Sequence, residues 1–591
     1  MWYLILGILV LLAPCSAVFL YPTLREGFVK TALAIATFHV TLSIVSQALH
    51  VFSYPYIISV NIIFSAILIS VVSFKKKARI SIKTFKSNWI FIVALLILSF
   101  QLYSVHQSYT GIVQTMHGQE SVLKSAYPYP FFSDEWVTVS LINYSIENNA
   151  LPLVNTFDHN IPFSNILFAF PSVLAELFLV TGLSPLVHYW IFAVIFGLVI
   201  CSSLYILLKV YGVNKYIALA GVLLVPYILN SGNLPSLWCL LPFTLATMLF
   251  IWQLISQKLE YNKYSIFFSI LILIIYPPMI VFSITALFVG LFKYQKTYKK
   301  SPLLYLIPLG ICLVTFTIIF YFVLARFDTT IADVFSRYII RPNLDPSIIS
   351  YALWNILPII SLITFPIGIY VAIRNKYYDI LIVLGMGILY WFVYVFLNKV
   401  IIIEYPRIVF ITSLFLIAAS TIGLNWLIEI LRDKNKYFQY IPVSVGVLAI
   451  VLSVMLLPSY TSGTSWKKLT LTLTDKVGNS KTFQPASPVN RYLTDEDLFL
   501  FKNIYSERFI APPWKGLVIG VATGNFPLET KSSTITSKIF PYAKFMSLNC
   551  NEKKQIAQRY KIGYVYSDMF SCPGFYEIGS STERLYLYQY K

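Results

Sequence analysis

Apolar residues run along this chain in long blocks, rather than in the spacing of a surface helix or the alternation of a half-buried strand. Fourteen blocks are read as spans: 2–21, 31–51, 56–73, 89–104, 186–208, 215–230, 235–257, 264–277, 278–292, 303–325, 351–373, 380–397, 405–430 and 439–457. At 1.5 Å per residue they are long enough, or nearly so, for a hydrocarbon core of ~30 Å. The two shortest meet at Tyr276-Pro277-Pro278, which predicts a tight turn between half-buried helices. Ser164 to Thr181 is also apolar, with Glu176 its only charge. It is assigned to an interfacial or re-entrant helix, because a span there would invert every later loop. Met1 to Leu20 is read as a retained span: it lacks the basic start of a signal peptide, and Pro14 makes Cys15 a poor lipidation site.

Two segments break the apolar pattern. Loop 105–185 exceeds the length of a mere connector, and loops of that size are usually functional. In it, Ser133 is a plausible N-cap, Asp134 and Glu135 suit the first turn of a helix, and that helix continues to Glu147. Val137, Leu141 and Tyr144 share one face of it, predicting an amphipathic element along the membrane surface. Acidic residues at a helix start are commonplace, so this pair alone names no chemistry. Asp158 and His159 follow in a polar cluster, as exposed loop residues or as site residues. The second segment is the tail, 459–591, of ordinary soluble composition. A helix is predicted from Thr494 through Tyr505, a buried strand over Leu517–Ala522, a helix from Glu552 to Tyr560, a strand at Tyr564–Tyr566 and an edge or hairpin strand at Leu585–Tyr588. Gly520 to Gly524 lacks the Lys-Ser/Thr ending of a phosphate loop and is read as strand and turn.

Composition sharpens the class. Of 591 residues 58% are hydrophobic and 12% charged, against about a quarter charged in a soluble protein. That excludes a soluble enzyme, a disordered chain and a fibrous protein. The net charge of +19 would suggest nucleic acid on a soluble protein, but here it is a topology signal. Of 44 Lys and Arg, 21 lie in seven connections that alternate with connections holding 6, and 17 lie in the tail. The rich set is therefore cytoplasmic, which places the N-terminus, loop 105–185 and the tail outside the cytoplasm. The expected fold is an α-helical polytopic membrane protein of about 14 transmembrane helices with a small C-terminal α/β domain. Its parts are an N-terminal three-helix segment (1–88), a transmembrane core (89–458) and an extracytoplasmic domain (459–591). Cys550 and Cys572 share the tail, as a disulfide or as two free thiols. No Cys/His spacing forms a zinc site.

The arrangement resembles the GT-C superfamily of integral-membrane glycosyltransferases, which includes protein O-mannosyltransferases and lipid A sugar transferases. Span 89–104, then Ser133-Asp134-Glu135-Trp136, then surface helices near 136–147 and 164–180 match that superfamily's first outer loop. The text from Asn149-Ala150-Leu151-Pro152 to Thr181-Gly182-Leu183-Ser184-Pro185 is similar too, as are Asn230-Ser231-Gly232-Asn233-Leu234-Pro235, Glu404-Tyr405-Pro406-Arg407 and Lys561-Ile562-Gly563-Tyr564-Val565-Tyr566. The likeness covers roughly 89–591, is thinly spread, and leaves the first three spans without a counterpart.

The resemblance implies transfer of a sugar from a polyprenyl-phosphate carrier to a glycan, lipid or protein acceptor on the outer face, usually with inversion. A hydroxyl nucleophile needs a carboxylate within reach, and Asp134 is placed for that, with Glu135 the alternative base or an acceptor-orienting group. The leaving lipid phosphate needs a cation; Arg407 is the first candidate, then Lys399, Arg337, Arg341 and Arg326. Asp158, His159 and Glu404 are candidates for the acceptor or donor pocket. The loop from Arg326 to Ser347, with Asp328, Asp333 and Asp345, shapes that pocket or is plain surface. Some relatives use a divalent metal and others none, so no metal or cofactor is assigned. A flippase or transporter of lipid-linked sugars, a polysaccharide polymerase and an inactive relative compete. A transporter shows internal repeats and ionisable residues within its spans; this chain shows no repeat, and its charges gather at span ends.

Overall fold

The computed structural model of the protein describes residues 2–21, 24–76, 89–162, 165, 167–228, 237–298, 310, 314, 340–342, 359–397, 399–434, 436–455, 489–531 and 537–591. Helices α1 (Trp2–Leu12, prolonged by a 3-10 turn to Leu20), α2 (Leu24–Ala48) and α3 (Tyr54–Lys76) form the N-terminal segment. Helix α4 (Trp89–Gln107) leads to a hairpin, β1 (Tyr109–Thr115) and β2 (Gly118–Ser125), then α5 (Ser133–Asn148), the short pair β3 (Val154–Asn155) and β4 (Ile161–Pro162), and α6 (Ala169–Thr181). The bundle continues through α7 (Pro185–Val210), α8 (Lys215–Leu223), α9 (Pro242–Lys258), α10 (Asn262–Ile275), α11 (Ile280–Tyr298), α12 (Ile359–Arg374), α13 (Tyr378–Leu397), α14 (Tyr405–Lys434) and α15 (Ile441–Met455). A ribbon of β5 (Ile340–Pro342) and β6 (Lys399–Ile401) precedes α14.

Among the described residues seven helices are long and apolar enough to cross a bilayer: Tyr3–Leu20, Glu26–Ala48, Tyr54–Phe74, Trp89–Gln107, Pro185–Val210, Arg407–Asp433 and Phe438–Met455. Each coincides with an expected span. Five more expected spans coincide with the shorter apolar helices Lys215–Tyr227, Asn262–Ile275, Pro277–Gly290, Ile363–Arg374 and Tyr378–Tyr394. The span expected at 235–257 becomes α9, which starts at Pro242 and is buried along nearly all its length. The span expected at 303–325 lies outside the described residues, apart from Gly310 and Val314, and so does the motif Asn230–Pro235. The turn at Tyr276-Pro277-Pro278 is there: α10 ends at Ile275 and a 3-10 turn over Pro277–Met279 joins it to α11.

Helix α6 lies across the N-terminal segment. Its 13 residues span about 20 Å, too short for a bilayer core. It touches each of the first three helices near one end. A Cβ on Gly7 would meet the carbonyl oxygen of Val180 at 2.2 Å, so only glycine lets α1 and α6 cross this closely. Gln47 Nε2 donates to the carbonyl of Ser172 at 3.2 Å. The fully buried Glu176 carboxylate bonds His39 Nδ1 at 2.8 Å and accepts from Asn61 Nδ2 at 3.1 Å. A buried polar group must be hydrogen-bonded to persist, and this one is held from two helices.

The tail is a mixed sheet with helices, ordered β10-β11-β9-β7-β8. Its elements are α16 (Asp495–Leu500), β7 (Arg508–Ile510), α17 (Pro513–Thr523), β8 (Phe526–Pro527), α18 (Tyr542–Ser547), α19 (Cys550–Tyr560), β9 (Ile562–Ser567), β10 (Phe575–Ser580) and β11 (Tyr586–Tyr590). Strands β7–β9 and β7–β8 pair in parallel, while β9–β11 and β10–β11 are antiparallel. Two expectations are corrected here. Leu517–Ala522 is helical, not a strand: Pro513 opens α17 and Gly524, at φ 71°, closes it. A short continuous apolar run carries no period to tell helix from strand, and Lys515 to Val521 are all buried. The helix opened by Thr494 stops at Leu500 rather than Tyr505. Cys550 and Cys572 are joined in a disulfide tying the start of α19 to the approach of β10.

The tail packs onto the outer loop. Gln114 N donates to Val489 O and Arg491 N to Gln114 O, extending the β1–β2 hairpin by a strand-like contact. The Arg491 guanidinium binds Ser125 through Oγ at 2.6 Å and the carbonyl at 2.9 Å.

Candidate active site

Helix α5, expected as an amphipathic element, shows no exposed polar face between Glu135 and Ile142. Residues Glu135 to Ile142 are all buried, the polar Thr138 and Ser140 included, because α6, α7 and α17 pack around it. Ser133 is not the N-cap either; that position is Phe132, and Glu135 does the capping from inside the first turn. Its Oε2 accepts from the main-chain N–H of Phe131 at 2.9 Å and Phe132 at 3.2 Å, and its Oε1 from that of Leu240 at 2.9 Å. Both oxygens are thus engaged by backbone. Burial pushes the Glu135 carboxyl up to about 7, and the three N–H donors pull it back towards the charged form. This geometry gives Glu135 a positioning role: it pins the start of α5 to the chain leading into α9.

The rest of the mount is aromatic and polar. His106, near the end of α4, stacks on Phe131 with ring centroids 4.5 Å apart and planes 9° apart. Asn490 Nδ2 donates to the carbonyl of Phe131 at 2.9 Å, and Tyr189 OH to that of Leu240 at 2.6 Å. The backbone that delivers Asp134 is therefore held from α4, α7 and the tail at once.

Asp134 itself points elsewhere. Its Oδ2 accepts from Arg407 Nη2 at 2.9 Å, across 273 positions of sequence. Arg407 stands in the first turn of α14; its Nε lies 3.3 Å from Glu404 Oε2 and its Nη1 donates to Tyr276 OH at 2.7 Å. The guanidinium also lies over the Tyr276 ring, 5.5 Å from its centroid. The Asp134 side chain is 38% exposed, Glu404 42% and Arg407 15%, so the carboxylates line an accessible surface and the cation sits behind them. Burial raises the Asp134 carboxyl above the usual carboxylate range; Arg407 draws it down and Glu404 pushes it up. Among the described residues, no hydrogen bond engages Asp134 Oδ1. The chemistry this permits is proton acceptance by a carboxylate of raised basicity, beside a guanidinium suited to a phosphate.

Ile402 shapes the approach to α14. It holds φ 59°, a conformation costly for a β-branched residue, between β6 and Glu404. The ribbon ahead of it pairs Pro342 with Lys399 and Arg341 with Val400, so two more candidate cations lie on a ribbon whose second strand, β6, ends just before Glu404. Lys399 is exposed. Arg326, Arg337 and the acidic residues Asp328, Asp333 and Asp345 lie outside the described residues.

Asp158 and His159 belong to a different contact. Arg508 of β7 donates from Nε to His159 Nε2 at 2.6 Å, and its Nη2 lies 3.7 Å from Asp158 Oδ1. The His159 ring stacks on Phe526 of β8, centroids 4.1 Å apart. These residues dock the tail on the outer loop. Of the residues picked from sequence, the structure brings together Asp134, Glu404 and Arg407, assigns Glu135 to their support, and sets Asp158 and His159 against the tail. Tyr276 was missed as a site residue. Its only sequence signal was the turn-forming Tyr-Pro-Pro, which predicted the bend and not the hydroxyl. Among the described residues no group of three or more His, Cys, Asp or Glu is placed to hold a metal ion.

No family model matches the chain, and no curated protein matches it. Three solved structures with some likeness are crystal structures of the Archaeoglobus fulgidus oligosaccharyltransferase. The form tethered through a disulfide to an acceptor peptide containing the NVT sequon superposes with a TM-score of 0.45 at 12% identity, over 86% of this chain and 74% of that one. The apo form gives 0.44 at 12%, over 82% and 70%. The complex with zinc and sulfate gives 0.44 at 12%, over 84% and 73%. Scores below 0.5 at this identity are too low to carry fold or function from that enzyme to this chain.

Proposed function

We propose that the protein is a membrane glycosyltransferase of GT-C type. It moves a sugar from a polyprenyl-phosphate donor to an acceptor hydroxyl on the extracytoplasmic face, with Asp134 as general base. The observation that carries this reading is the Asp134–Arg407 ion pair. Residues chosen separately as base and as phosphate-binding cation meet at 2.9 Å, at the end of a membrane-length helix. The basic-residue count and the disulfide in the tail support the outer side.

In the reaction proposed, the acceptor oxygen bonds to the anomeric carbon as that carbon's bond to the phosphate oxygen breaks. The electron pair leaves with the lipid phosphate, and the acceptor proton passes to Asp134. Arg407 has a second part in this. A donor phosphate competes with Asp134 for the same guanidinium N–H groups, while Glu404 and Tyr276 keep the cation in place. As Nη2 turns to the phosphate, Asp134 loses its counter-charge and becomes a stronger base. Donor binding would thus switch on the base. Lys399 and Arg341, on the neighbouring ribbon, are the further candidates for the lipid phosphate.

The test is transfer of a radiolabelled sugar by purified protein, offered a panel of hexosyl and pentosyl polyprenyl phosphates with glycan, lipid and peptide acceptors. Transfer from one of them supports the reading. Protein that moves intact lipid-linked sugar across vesicles, and transfers none, would overturn it in favour of a flippase.

A further inference from the structure

The other end of the bundle holds a second cationic site. Helix α9 begins beside Leu240, the residue bonded to Glu135, and its 17 residues run about 25 Å to Lys258. There a cavity of about 50 Å³ is lined by Gln257, Lys258, Val289, Gly290, Lys376, Tyr378 and Asp379. Lys258 Nζ sits 4.4 Å from the Tyr377 ring centroid and 4.9 Å from that of Tyr211, fixed between two aromatic faces. Among the described residues one carboxylate lines the cavity, Asp379, and it accepts a hydrogen bond from Tyr211 OH. The amide Nε2 of Gln257 is buried, and among the described residues it has no partner. A buried donor left unpaired is costly, so its presence beside two lysines points to an acceptor that completes the site. Gly290 leaves the room: a Cβ there would stand 3.1 Å from Gln257 Cδ.

We infer that this cavity binds the phosphate group of an anionic phospholipid. Two ammonium groups and an amide N–H supply donors, with one carboxylate already engaged, which suits an oxyanion. A single water needs about 10–15 Å³ of such space, so the cavity has room for a small oxyanion. The surroundings favour a lipid over a free ion. Phe288, next in sequence to the lining Val289, is 43% exposed, and α13, which starts at the lining Tyr378, exposes Ile388, Leu389 and Phe392 further along, apolar surface for acyl chains. The flanking connections belong to the lysine-rich set, where anionic headgroups are drawn.

The experiment uses full-length protein in neutral detergent, heated with short-chain phosphatidylglycerol, with inorganic phosphate, or with the matching phosphatidylcholine. Wild type should melt several degrees higher with phosphatidylglycerol and unchanged with phosphatidylcholine, and Lys258→Gln/Lys376→Gln should lose that response. An equal, lysine-dependent shift with inorganic phosphate would keep the site and make its ligand a free phosphate. Should the double variant not fold, Gly290→Ala serves, since it narrows the cavity with both lysines intact and should blunt the same shift. Equal shifts in wild type and Gly290→Ala, or no shift with either phosphate source, would overturn the inference.

Discussion

At the scale of single residues, Tyr276 and Glu135 separate holding a site from performing its chemistry. Tyr276→Phe keeps the ring beneath Arg407 and removes only the hydroxyl that accepts from Nη1. Hydrogen bonds to charged groups contribute about 1.5–3 kcal/mol, so the KM for the lipid-phosphate donor should rise roughly tenfold or more, with kcat changing less. Steady-state kinetics check this; a loss confined to kcat would make Tyr276 a group acting on the reacting atoms. Glu135→Gln keeps the shape but replaces one acceptor oxygen with an NH₂ that faces a main-chain N–H. Leaving a buried donor unpaired costs about 1–3 kcal/mol, so thermal unfolding should show a clear fall in Tm. Asp134→Asn, at a part-exposed position, should leave Tm nearly unchanged. His159 gives a pH dependence. Burial, then the neighbouring Arg508, depress its pKa below 6.5, while Asp158 pulls the other way. A depressed His favours the fold above 6.5 and loses that contribution as pH falls through the lowered value. Proteolytic nicking between 154 and 162 should therefore increase below pH 6.5 and be flat with pH in His159→Gln. An identical pH profile in the two proteins would contradict this.

At the scale of elements, the N-terminal helices acquire a role that their sequence alone did not suggest. They seat α6, and α6 packs against α5, which carries Asp134. The lock is Glu176 with His39 and Asn61. Leaving a buried polar group unpaired costs about 1–3 kcal/mol, whereas replacing both partners with apolar groups can be nearly neutral. Glu176→Leu and His39→Leu should each lower Tm strongly, and the double variant should recover part of the loss. Additive losses in the double variant would show that the contact is not a working pair. Periodicity reads long apolar helices well, and seven of the expected spans are helices of full membrane length. It failed at α17, whose run of buried residues has no polar face to set a period; at α5 it read the helix but missed that its polar face is covered by other parts of the chain. Both failures have one cause: burial on all sides is decided by partners far away in sequence.

At the scale of the whole molecule, the tail, the outer loop and the head of α14 meet around one short stretch of backbone. Phe131 is bonded by the tail through Asn490, stacked by α4 through His106, and followed within three residues by Asp134. The sequence displayed the ingredients, a carboxylate after a span and an arginine before one, because charges at span ends stand out against apolar runs. It could not display their pairing, since Asp134 and Arg407 come together only through the packing of the bundle. The same limit hid Tyr276 and the contact of Asp158 and His159 with the tail. The central claim is the chemical role of Asp134. Its most direct test is the initial rate of sugar transfer from a polyprenyl-phosphate donor by wild type and Asp134→Asn, both at wild-type Tm and with donor binding measured alongside. The account predicts a fall of about 10²-fold or more in kcat with donor affinity retained. Transfer at the wild-type rate by Asp134→Asn would contradict it.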